Sequence, residues 1–357
     1  MPLPNFVSEI TNPYFPLNPG ETYVYESLDG SDVSYFAVTD KTIRILGVTC
    51  IIVEHTAYED GERVEQTADY FAQDEDGNVW YFGEKVRNYE DGKFVDTEGS
   101  WKAGVDGAEP GYIMLAPPNV LGTEYNQENA PGIAEDHARV LSLAADPESV
   151  PYGDFGTSWQ IEETTLLEPS ALEHKYYVEG VGQVWGVNVN DPTDQEVLVK
   201  IIIDGTSKDD MLVGRAGTDE LNGFDGEDVL DGNGGNDTLT GGRGADSLTG
   251  DLGEDVFRFT ALADSRVGED HDTIEDFDDG VDVIDLGTMD ANFGITGDQA
   301  FDFVGTGAFT APGQVRVIDD GGNVLIQANV NNNLGTDFEI LVLGANSGDF
   351  SDADFVL

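Results

Sequence analysis

A nine-residue periodicity constrains this chain more than any other feature. Six nonapeptides run without a gap: GTSKDDMLV at 205–213, GRAGTDELN at 214–222, GFDGEDVLD at 223–231, GNGGNDTLT at 232–240, GGRGADSLT at 241–249 and GDLGEDVFR at 250–258. The sixth position is always Asp: Asp210, Asp219, Asp228, Asp237, Asp246 and Asp255. The eighth is always large and apolar: Leu212, Leu221, Leu230, Leu239, Leu248 and Phe257. Six Gly-rich residues can turn with their carbonyls inward, because Gly adopts backbone angles denied to other residues. The next three make a short strand whose middle side chain faces a core. Each nonapeptide is then half a coil, and same-side turns lie two repeats apart. A disordered Gly/Asp linker would have no need of an apolar residue at one fixed phase.

Turns stacked this way offer carbonyl and carboxylate oxygen to a hard cation, which suits calcium. The pattern resembles the RTX nonapeptide, a calcium-binding repeat that builds a parallel β-roll. Pairing repeats one with three, two with four, three with five and four with six predicts about four or more Ca2+ sites. Repeat one departs from the pattern, with Lys208 where Gly is usual. One apolar side chain per repeat buries too little to offset chain entropy, so calcium should act as the folding switch. Extracellular calcium modules bind at roughly 10⁻⁴–10⁻³ M. At ten times the dissociation constant, four sites contribute roughly 6 kcal/mol, comparable with the whole stability of a domain.

The formal net charge is −55. Residues 1–200 hold 37 Asp/Glu against 10 Lys/Arg, and residues 201–357 hold 34 against 6, so calcium ligation alone cannot account for the acidity. The kind of acid changes: 15 Asp and 22 Glu in the first part, 28 Asp and 6 Glu in the second. Asp suits metal-bearing turns. Acidity elsewhere reads as solubility in a salty exterior, and nucleic acid and anionic membrane are poor partners at this charge. All 13 Tyr, all 4 Trp and the one Cys precede residue 201. The composition therefore predicts three parts: a β-domain over 1–200, a β-roll over 201–258 and a cap over 259–357. Cys50, within Val48–Val53, reads as a core thiol, and a lone cysteine excludes an internal disulfide framework. No apolar run reaches the roughly 20 residues of a membrane-spanning helix.

Residues 256–286 carry Asp272-Thr273-Ile274-Glu275-Asp276-Phe277 and Gly280-Val281-Asp282-Val283-Ile284-Asp285-Leu286. In motif order and spacing, residues 205–357 resemble the C-terminal domain of serralysin-type proteases. That resemblance implies a sandwich-like cap and further calcium ligation by Asp272 and Asp276. It also implies that Phe350–Leu357 is an uncleaved signal read by a type I exporter, which fits the lack of a Sec-type signal at Met1–Phe6. The protein is accordingly expected to be secreted and extracellular. The protease activity does not carry over. Its zinc needs His-Glu-x-x-His, and none of His55, His137, His174 and His271 lies in such a motif.

For residues 1–200, Asp-Gly signals at 60–61, 76–77 and 91–92 separate β-rich runs at 43–58, 63–73, 79–89 and 93–101, with more at 158–166 and 172–189. The prediction is an antiparallel meander closed into a barrel or half-barrel, giving an all-β chain. Only 133–145 reads as possibly helical. The segment Asn12–Glu26 resembles the opening of an uncharacterised family of exported bacterial β-domains. Polar groups interrupt apolar faces at Glu84 and His174, His137 aligns with Arg139, Leu141 and Leu143 if 137–143 is a strand, and Glu98 lies near Trp101. A lumen lined by Glu84, Glu98, His137 and His174 could bind a polar ligand, a metal ion or a substrate, and the first function expected of it is holding a small molecule or glycan. The alternative is a secreted hydrolase or lyase of an extracellular polymer, with these groups as acid and base.

Overall fold

A computed structural model describes residues 3–147 and 149–357. The chain divides into two compact units, Met1–Ile201 and Ile202–Leu357. Strands dominate both; Asp352–Asp354 forms a single 3-10 turn.

In the first unit the meander forms. Glu21–Ser27 pairs with Asp32–Ile45, which pairs in turn with Val48–Glu59 and then Glu62–Gln73. Val79–Glu84 follows, and Glu109–Met114 joins its other edge. A second run of antiparallel partners comprises Asp136–Ala145, Ser158–Thr165, Leu172–Val178, Gly182–Asn188 and Gln195–Asp204. The last of these pairs back to Glu21–Ser27, so the sheet comes close to closing as a barrel. Asp60 and Asp91 have φ near +49° and +48°, and each, with the Gly that follows, makes the tight turn that matches strand twist.

Three local expectations change. The run over 43–58 is two strands, because Ile45 pairs with Val48 across a two-residue turn that holds Leu46 at φ +50°. Leu is a poor turn former, and the local signal for this turn is Gly47 alone, at φ +90°. The segment considered for helix is the strand Asp136–Ala145: Ala138 and Val140 are buried while Arg139 between them is exposed, a period of two. The run over 93–101 is strand only at Lys93–Phe94 and Trp101–Lys102.

The second unit is the roll and its continuation. Met211–Val213, Val229–Asp231, Ser247–Thr249, Asp272–Ile274 and Phe338–Val342 stack as one parallel ladder. Asp219–Asn222, Thr238–Thr240, Val256–Arg258, Val283–Asp285 and Phe355–Val356 stack as the other. Leu221, Leu230, Leu239, Leu248, Phe257, Ile274 and Ile284 are fully buried, so the eighth-position residues form the core between the ladders. The stacking does not stop at residue 258. It runs on through Ile274 and Ile284 to Val342 and Phe355, beside an antiparallel sheet of Gln314–Asp320, Asn323–Asn329 and Phe338–Val342.

Candidate functional site

The position-six aspartates form two columns. In each, one carboxylate oxygen accepts the backbone N–H of the aspartate one coil earlier: Asp228 from Asp210, Asp237 from Asp219 and Asp246 from Asp228, each at 2.8 Å. Asp255 accepts from Asp237 at 2.9 Å. The columns continue past the repeats, with Asp272 accepting from Asp246 and Asp282 from Asp255, both at 3.0 Å. This bond fixes each side chain and aims its second oxygen into the turn.

Those second oxygens differ in their partners. In Asp228, Asp237, Asp246, Asp255 and Asp272 the Oδ2 is buried and has no hydrogen-bond partner. In Asp210 it accepts from the Thr206 backbone N–H and hydroxyl at 2.6 and 2.8 Å, and in Asp219 from the Arg215 N–H. An unpaired buried carboxylate oxygen is costly, and five in register are not the signature of ordinary packing. Burial pushes Asp237 up to about 8 and Asp272 to about 9, with neighbouring carboxylates adding to the rise. It pushes Asp246 and Asp255 to about 6. A bound divalent cation inverts that logic and supplies the missing partner.

Glycine completes the cradle. A Cβ at Gly226 would stand 2.6 Å from the Lys208 carbonyl oxygen and 2.7 Å from Asp228 Oδ1. Turn backbone and carboxylate thus converge where a side chain would fill the space. Of the two further aspartates expected to ligate, Asp272 stands in the column. Asp276 does not: its oxygens accept the Gly250 and Asp251 backbone N–H groups at 2.9 and 2.7 Å, which caps that turn. The residue missed from the sequence is Asp282, buried and next in the column after Asp255. A signal was there, since Asp272-Thr273-Ile274 and Asp282-Val283-Ile284 both repeat the Asp-x-apolar triplet of the nonapeptides.

The first unit holds a cavity of about 270 Å³. Its walls follow the two-residue period of strands: Tyr23 and Tyr25, Val53 and His55, Glu65 through Phe71 at alternate positions, Lys175 and Tyr177. Four carboxylates reach it, from Glu65, Asp69, Glu84 and Glu196. Asp69 is buried and accepts from the Tyr81 hydroxyl at 2.8 Å and the Thr67 hydroxyl at 2.9 Å. Burial raises Asp69 to about 6 despite those donors. Burial and the neighbouring Asp69, Glu65 and Asp136 raise Glu84 to about 8. The His55 ring stacks on Phe36 at 4.0 Å between centroids, and its Nε2 is buried without a partner. Burial, then Lys175, lowers it to about 4, so the imidazole is neutral.

Of the four polar groups expected in a lumen, Glu84 lines this cavity and the other three do not. Simple alternation from Trp80 and Phe82 would set Glu84 on their face. A bulge intervenes: Tyr81 pairs with Phe71 and Glu84 with Asp69, three residues against two, with Gly83 at φ +125°. Glu84 therefore shares a face with Tyr81. Glu98 is exposed, its backbone N–H bound to Asp96 at 3.1 Å. His137 is half-buried at a strand position paired with Thr164 and Asn126. His174 bonds to Gln160 at 3.1 Å and stands 3.7 Å from Glu162.

A parallel roll of nine-residue half-coils with unpaired carboxylate oxygens buried in its turns defines a calcium-binding β-roll protein. Residues 204–239 and 222–257 match the family model of the RTX calcium-binding nonapeptide repeat. The chain thus carries RTX repeats over this segment, and these repeats bind Ca2+ at several sites. Among solved structures it is similar to the R3 subunit of a mannuronan C5-epimerase from Azotobacter vinelandii. Identity there is 31%, over 43% of this chain and 80% of that one, with a TM-score of 0.33. A protein with a YmcC-like fold from Bacteroides fragilis is 14% identical over 53% of this chain and 99% of its own, TM-score 0.32. The extracellular lipase LipA of Serratia marcescens is 14% identical over 60% of this chain and 32% of its own, TM-score 0.31. No curated protein sequence matches the chain. No helix among the described residues is long and apolar enough to cross a membrane.

Proposed function

We propose that this is a secreted binding protein, exported by a type I system, whose calcium-folded roll accompanies a β-barrel that holds a small molecule or glycan in its lumen. In the roll, the unpaired oxygens of Asp228, Asp237, Asp246, Asp255 and Asp272 would hold the calcium, with Asp210, Asp219 and Asp282 completing the columns. Export in an open state fits the geometry of the C-terminal segment. Phe350 and Phe355 are buried in the fold, so an exporter would read them only in a chain that calcium has not yet folded.

The observation that carries the binding reading is the 270 Å³ cavity, which combines aromatic walls with a few convergent polar groups. One observation favours the alternative, a hydrolase or lyase of a polymer. Asp69 and Glu84 pair across adjacent strands, and their environments favour an anion and a neutral acid respectively at pH 7. The calcium-loaded chain should be screened on a glycan array, on a metabolite panel by thermal shift and on polymer substrates. Binding without turnover that weakens in Glu84→Gln supports a binder; turnover abolished by the same change supports the enzyme. Hits indifferent to Glu84→Gln would place binding elsewhere.

A further inference from the structure

The cavity's charge and its walls together narrow what it takes. Its only ammonium among the described residues, Lys175, is already held by Glu163 at 2.7 Å and Glu173 at 3.6 Å. Four carboxyl groups face the space against that one neutralised cation and a neutral imidazole, inside a chain of net charge −55, and an ammonium brought among them draws Glu84, neutral in the empty cavity, into its anionic form. An anionic ligand would meet repulsion from every side. A neutral ligand would leave carboxyl groups removed from water with no counter-charge.

A bare metal ion fits poorly. No three His, Cys, Asp or Glu side chains converge as a metal set among the described residues. The walls instead offer ring faces. Phe71 and Tyr81 stack at 4.8 Å, Phe15 meets Phe71 edge-on at 5.5 Å, and Phe36 lies on His55. Aromatic faces attract an organic cation and bury its apolar part, which a hydrated metal ion cannot exploit.

We propose that the lumen binds a small organic cation, an amine on an apolar body, with its ammonium among Glu65, Asp69 and Glu84 and its body against the Phe71–Tyr81 stack. This rests on the reading of the cavity as a ligand site and adds the class of ligand. The unpaired His55 Nε2 supplies one further hydrogen bond to a polar substituent.

The test is calorimetry on the full-length, calcium-loaded protein with matched probes: 2-phenylethylamine, 2-phenylethanol and phenylacetate, then choline and its neutral isostere 3,3-dimethylbutanol. Each cation should bind at least tenfold more tightly than its neutral counterpart. Glu84→Gln and Asp69→Asn should each weaken the cation about tenfold and leave the alcohol within twofold. Should Asp69→Asn not fold, as tryptophan fluorescence would reveal, Glu65→Gln takes its place. Alcohols or phenylacetate binding as tightly as the amines would overturn the cation assignment while leaving the lumen a binding site. Silence from all five probes alongside persisting glycan hits overturns this proposal alone; silence from every ligand tried overturns both.

Discussion

The core ladder of the roll and its calcium must share one free-energy balance, and Leu239→Ala measures the exchange between them. Leu239 is fully buried, stacked in register between Leu221 and Phe257 in a column that continues to Ile284. Truncating a buried Leu costs about 2–5 kcal/mol, and a roll one side chain thick has little scope to collapse around the gap, so about 3 kcal/mol is a central expectation. Calcium offsets this by mass action, each of about four sites contributing RT ln of the concentration ratio. Recovering 3 kcal/mol across four sites takes a ratio of about 3.6, and the 2–5 kcal/mol range spans roughly 2- to 8-fold. The calcium midpoint of folding should therefore rise about three- to fourfold. The signal is far-UV circular dichroism of the full chain during a calcium titration. Tryptophan fluorescence serves as an internal control, because all four Trp lie in the first unit. Met211→Ala, at an exposed position of the first repeat strand, should leave the midpoint alone. An unmoved midpoint in Leu239→Ala, or an equal move in Met211→Ala, would refute the coupling of core and metal.

Asp237→Asn retains the shape of the side chain but removes the charge of the unpaired Oδ2, and should cost at least one calcium in equilibrium dialysis and flatten the folding titration. Gly83→Ala should destabilise the first unit by about 2–4 kcal/mol in denaturant followed by tryptophan fluorescence. Its backbone sits at φ +125°, and an added Cβ would lie 2.5 Å from the Trp101 carbonyl oxygen. Raised to about 8 by burial and neighbouring carboxylates, Glu84 binds its proton more tightly folded than unfolded. Its contribution is thus fully present below about pH 4.5 and lost as pH rises through 8. After allowance for partial exposure the loss is on the order of 2 kcal/mol, and Glu84→Gln should remove that part of the pH slope. An identical slope in wild type and variant would show that Glu84 does not set it.

What could be read without a structure followed from local chemistry repeated many times. Nine-residue spacing of Gly, Asp and an apolar residue dictates turn, ligand and core side chain, because each depends only on neighbours within half a coil. The roll, its two-repeat stacking and calcium were legible for that reason; Asp272 was expected from the serralysin-type resemblance alone, although it and the missed Asp282 both repeat the Asp-x-apolar triplet. Asp-Gly dipeptides announced the hairpins at 60–61 and 91–92 in the same way. Other features depend on partners distant in sequence. Asp276 became a turn cap and Asp282 a column member because of where the chain returns after residue 258. The left-handed backbone of Leu46 and the strand at 136–145 were settled by sheet pairing against local preference. The lumen shows the limit most clearly. Alternation along a single strand set Glu84 beside Phe82, but the bulge at Gly83 turned it toward Asp69, while His174 faced Gln160 rather than the cavity. A residue's type states what chemistry it could perform; only closure of the barrel, with its register and its bulge, decided which of those side chains share one interior.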